Sequence, residues 1–195
     1  MLRPFFRRTL ALVASLVMLT AGSRGLAEEI PVPVPLQAEL VAKVVAYDAN
    51  LPARAQGKVR IRILVYAHSA ESRSVAAEFQ GALAAMPTIA GLPHEESTMT
   101  YTDANALARV CKADQVSIVY ITPGMPDDQL SAMVLALTGV NVMTVAAMPR
   151  LVPLGVVLGF DLSSSKPKLL VHLTQARKQH VALSSNVLRL MKVFE

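Results

Sequence analysis

Two kinds of hydrophobic spacing alternate along the chain. Leu36, Leu40, Val41, Val44 and Val45 recur at helical intervals, which predicts a helix over 36–47 ended by Asn50, Leu51 and Pro52. Residues 58–66 instead alternate Arg60, Ile61, Arg62 and Ile63 before turning wholly apolar, as a strand does on entering a core. A helical pattern over 69–86 places Val75, Phe79, Ala82 and Leu83 on one side and stops at Pro87. A second strand is expected over 95–101. A helix over 104–112 follows, with Thr102 or Asp103 able to accept its unpaired first-turn amides. The β-rich run 116–121 is the best candidate for a central strand. Next come a helix over 127–137 with Asp127 and Asp128 at its amino end, a strand over 140–145, and a single turn over 148–152. Strands over 155–162 and 168–173, joined by Ser163-Ser164-Ser165-Lys166-Pro167, read as an antiparallel hairpin. Two short helices close the chain, the last over 184–193.

Strands alternating with helices predict an α/β fold, a mostly parallel sheet covered by helices with a C-terminal antiparallel hairpin edge. One domain is expected over 36–195. Before it, residues 28–35 carry Ile30-Pro31-Val32-Pro33-Val34-Pro35, which blocks helix and favours an extended lead-in. Residues 1–27 have the layout of a secretory signal peptide: Arg3, Arg7 and Arg8, an apolar run over 10–19, then Gly25-Leu26-Ala27, with cleavage expected after Ala27. That run is shorter than the roughly 20 residues a membrane span needs, so the exported chain is not expected to cross a membrane. Arg7-Arg8 is read as an ordinary charged region rather than a twin-arginine signal.

Export changes the charge argument. The full chain has 19 basic and 14 acidic residues, but Arg3, Arg7, Arg8 and Arg24 lie in the leader, leaving 15 against 14. A chain so near neutrality has no bulk attraction for nucleic acid or anionic membrane. Cys111 is the only cysteine, so no internal disulfide can form. Its helical setting predicts a buried thiol, with an intermolecular disulfide as the alternative.

No catalytic, metal or cofactor motif is found. Thr122-Pro123-Gly124 has one glycine between prolines and lacks the glycine spacing of a phosphate loop. His68, His94, His172 and His180 have no metal-ligand spacing, and no Gly-x-Ser-x-Gly turn is present. Glu95 and Glu96 are neighbours in a strand and point to opposite faces. Ligands of open α/β sheets bind beyond the carboxyl ends of the strands, so His68, Ser69 and Thr122, with Ala147-Met148 beside them, are the candidate ligand rim. The competing reading gives those residues to turns and caps.

The last third resembles the YfiR family of small periplasmic regulators. The resemblance lies in Gly155-Val156-Val157-Leu158-Gly159-Phe160, a polar turn, Lys168-Leu169-Leu170-Val171-His172-Leu173, Ala176-Arg177, and the closing Leu183-Ser184-Ser185-Asn186-Val187-Leu188-Arg189-Leu190-Met191-Lys192-Val193. His172 stands where asparagine is common and Val187 where leucine is usual. A second cysteine is lacking, which removes disulfide-dependent redox control. The resemblance implies a non-enzymatic periplasmic α/β protein, often self-associating. It would bind the periplasmic part of an inner-membrane diguanylate cyclase and restrain cyclic-di-GMP signalling. Leu188 and Met191 in the closing segment, together with the first helix, are the candidate partner or homodimer surface. A small-solute binding protein using the strand-end rim is the alternative.

Overall fold

A computed structural model describes residues 30–195. The signal-peptide reading and the first two residues of the lead-in lie outside the described residues. Helix α1 spans Val34–Val45, with Pro33 as its N-cap and Pro35 in its first turn, where a missing N–H costs nothing. It therefore starts inside the proline-rich lead-in, two residues earlier than the periodicity predicts. A short helix α2, Leu51–Ala55, follows where only a stop is expected.

The sheet is then built by β1 (Val59–Val65), α3 (Ala70–Ala84), β2 (His94–Thr100), α4 (Ala104–Ala113), β3 (Ile118–Ile121), α5 (Asp127–Ala136) and β4 (Met143–Ala146). One 3-10 turn, Pro149–Leu151, leads to the hairpin of β5 (Leu158–Ser163) and β6 (Lys166–His172). Helices α6 (Leu173–Lys178) and α7 (Ser185–Leu188) carry the chain to β7 (Met191–Phe194). Strand order is β2-β1-β3-β4-β5-β6-β7, with every pair parallel except β5–β6. The expected α/β class with its antiparallel hairpin is thus the observed one.

The closing segment needs a correction. Residues 184–193 do not form a helix: α7 is one turn, and Met191–Phe194 pairs with Leu169, Leu170, Val171 and His172 of β6. The hairpin is accordingly the inner neighbour of the sheet's edge, and β7 is that edge.

Burial follows the apolar runs. All four residues of β3 and all four of β4 are buried, as strands covered on both faces must be. Helix α1 packs on α3, and α4 on α5. Phe79 of α3 stacks on Tyr120 of β3 at 3.6 Å between centroids, and the Tyr120 hydroxyl donates to Gln37 of α1 at 2.9 Å. The hairpin turn places Ser164 and Ser165 at φ 49° and 60°, the two-residue geometry whose twist matches that of the strands. Gly159 is required by contact: a Cβ there would collide with Val152. No helix among the described residues is long and apolar enough to cross a membrane.

Candidate functional site

Two regions offer unspent chemistry. The first lies beyond the carboxyl ends of β1, β2 and β3, where Ser69 caps α3 by accepting the Ser72 amide at 3.0 Å. A cavity of about 450 Å³ opens there, lined by His68 and Ser69 and by Tyr66, Tyr101, Thr102, Gly124 and Gln129 among others. His68 is exposed on its rim. Thr122 is placed differently: its hydroxyl donates to the Leu64 carbonyl and meets the Ser72 hydroxyl, both at 2.6 Å, beneath the cavity and fully buried. It holds the α3 start against β3.

The cavity's main features are residues that sequence reasoning passes over. Tyr66 and Tyr101 end the β1 and β2 runs with ring centroids 5.7 Å apart and planes tilted by 33°. The Tyr101 hydroxyl donates to the Gln129 carbonyl at 3.5 Å, whereas the Tyr66 hydroxyl is buried without a partner. Burial pushes both phenols up, and the Asp128 carboxylate adds to the rise. Aromatic residues closing two adjacent strands were the available signal.

The second region is the C-terminal edge. Leu188 is half-buried against the core and Met191 is buried, so neither presents a full side chain to a partner. Leu190, 64% exposed, and Val193, 42% exposed, are the apolar side chains this edge turns outward, and Tyr47 at the end of the first helical stretch is 50% exposed. The edge is anchored from within. Asp48, buried, forms an ion pair with buried Arg54 and accepts the Ala182 amide at 2.8 Å. Arg54 Nε reaches Asn141 at 3.2 Å. Burial lowers the Arg54 pKa, against the opposing pull of Asp48. Backbone bonds from Ala49 to Ala182 and from Ser184 to Tyr47 complete the tie.

Cys111 is buried in α4 as a free thiol, and burial pushes its pKa up to about 12. No group of three or more metal-ligating side chains occurs among the described residues.

Comparison with known proteins agrees with this architecture. A family profile described as YfiR/HmsC-like matches residues 35–192, far more than the last third that carries the visible resemblance. No curated protein matches. Among solved structures, the ABC domain in complex with L-Trp from Streptococcus pneumonia is similar with TM-score 0.58 and 13% identity over 84% of this chain and 62% of that one. A conserved domain protein from Vibrio cholerae O1 biovar eltor is similar with TM-score 0.59 and 13% identity, over 84% of this chain and 60% of that one. The chain spans about three fifths of the length of each, and at this identity the likeness is one of fold.

Proposed function

The chain belongs to the YfiR/HmsC-like family, and from that premise we propose that it is a periplasmic regulator that restrains an inner-membrane diguanylate cyclase by protein–protein contact. The family match over 35–192 is the observation that carries this reading. A regulator of this kind needs a docking surface and no catalytic group. The surface it would use is the β7 edge, which among the described residues has a neighbouring strand on one side only and where Leu190 and Val193 stand exposed. An extended segment of the cyclase's periplasmic part adding to that edge would gain main-chain hydrogen bonds, with the two apolar side chains giving register. A second copy of the chain could compete for the same edge.

The experiment is a pull-down from the organism's own membranes together with cyclic-di-GMP measurement after gene deletion. Recovery of a membrane cyclase and a rise in cyclic-di-GMP are expected. Unchanged cyclic-di-GMP with no membrane protein recovered would remove the proposal. The alternative, a small-solute binding protein, is favoured by the strand-end cavity, and the two roles are compatible.

A further inference from the structure

In the order β2-β1-β3 the chain leaves β1 in one direction for β2 and then crosses back to β3. The carboxyl ends of β1 and β3 therefore form a topological switch point, the place where open α/β sheets leave a crevice for ligands. The 450 Å³ cavity sits at that point, and its size suits a small organic molecule.

Its lining decides the chemistry. Tyrosine, serine, threonine, glutamine and histidine line it, and no Asp, Glu, Lys or Arg does. The Tyr66 and Tyr101 rings supply an apolar wall. The Tyr66 hydroxyl itself is buried and does not face the cavity. Thr102 and Gln129 are exposed on the same rim. Gly124 lies beside Ser69 and Tyr66, and its φ of 101° is a conformation that a side chain would strain.

The fields around the cavity oppose one another. The positive end of α3 faces it and the Arg73 guanidinium donates to the carbonyl of lining Ala67 at 2.6 Å, while the carboxylates of Asp103 and Asp128 bear on the tyrosines. Neither an anion nor a cation is strongly favoured by that balance. We propose that the switch-point cavity binds a small uncharged polyhydroxylated ring of the monosaccharide class. The ligand lays its C–H face on Tyr66 and Tyr101 and gives its hydroxyls to Thr102 and Gln129. The proposal deepens the small-solute reading of the same cavity and does not depend on the cyclase.

Calorimetry and saturation-transfer NMR on the purified protein test it, with methyl glucoside, glucuronate and glucosamine as neutral, anionic and cationic probes. Methyl glucoside is expected to receive saturation at its ring protons. Glucuronate and glucosamine are expected to bind at least about tenfold more weakly. Thr102→Ala with Gln129→Ala changes two exposed positions and removes the polar partners, and it should weaken methyl glucoside binding at least about fivefold, the usual value of one neutral hydrogen bond. No transfer to methyl glucoside, a charged probe bound equally or better, or an affinity untouched by Thr102→Ala with Gln129→Ala would overturn the proposal. Failure here would leave the pull-down result standing, and failure of the pull-down would leave this site standing.

Discussion

The sheet has two edges, and they are finished in different ways. At β2 the outer strand reads His94-Glu95-Glu96-Ser97-Thr98-Met99-Thr100 and is stitched with charge. Lys58 pairs with Glu95, His94 meets Glu96 at 2.9 Å, and Arg62 bonds Asp114 at 2.8 Å as well as Ser97. At β7 the outer strand is Met191-Lys192-Val193-Phe194, preceded by the exposed Leu190. Its one positive charge, Lys192, lies 5.0 Å over the Phe194 ring. Charged residues on an edge are a defence against pairing with another chain. The difference teaches that, among the described residues, one edge is guarded by charge and the other far less so, which is the physical basis for the proposal that the regulatory contact lies at β7.

The largest effect should come from releasing the open edge. Asp48→Ala removes the acceptor of the Ala182 amide and leaves Arg54 buried without its counter-charge. A loss of about 3–5 kcal/mol is expected, read from urea unfolding. A loss below about 1 kcal/mol would mean the tie does not hold the C-terminal segment.

His172 gives a smaller effect at the end of β6, beside β7. Its Nδ1 accepts the Gln175 amide at 3.2 Å and so caps α6. His172→Ala should cost about 1 kcal/mol, and His172→Asn should retain most of the cap. Burial lowers the His172 pKa, aided by Lys178 and opposed by a backbone hydrogen bond. The stability this adds is present above the ordinary histidine pKa and is lost as pH falls through the lowered value. The asparagine variant should lack this acid sensitivity in pH-dependent melting.

Cys111 has the opposite sign. Its thiol is pushed up from 9.0 to about 12, so its share of stability is whole below 9.0 and declines as pH rises towards 12. In the native protein it should resist iodoacetamide at neutral pH and react once urea unfolds the chain. Brisk native alkylation would show that α4 opens readily. The mildest test changes one exposed group: Glu95→Leu should leave the fold intact but raise self-association in sedimentation, because it strips a guard from β2.

The parallel half of the sheet was readable because β1 alternates arginine and isoleucine before turning apolar, because β3 is an unbroken apolar run, and because Asp103 caps α4 through the Ala106 amide at 2.8 Å, as its side chain allows. The other half was less so. Leu183, Val187, Leu190 and Met191 fit a helical face, and only four residues alternate in β7, so local pattern favours helix. Pairing to β6 decides otherwise, and that is a tertiary fact. At the strand-end cavity, His68 and Ser69 were readable from the topology of open sheets. The burial of Thr122 was not readable, because a hydroxyl at a strand end reads as exposed until its partners Leu64 and Ser72 are known. Tyr66 and Tyr101 looked like strand residues, since their meeting depends on β1 pairing β2.

The central claim is that the open edge makes the regulatory contact, and one paired measurement tests it. Binding of the cyclase's periplasmic part would be compared for Leu190→Asp/Val193→Asp and Lys58→Ala/Glu95→Ala, with unfolding followed in parallel. The β7 variant should lose at least about tenfold in affinity while keeping its fold, and the β2 variant should bind as the parent does. Equal binding by the parent and a folded β7 variant, or loss confined to the β2 variant, would contradict the account.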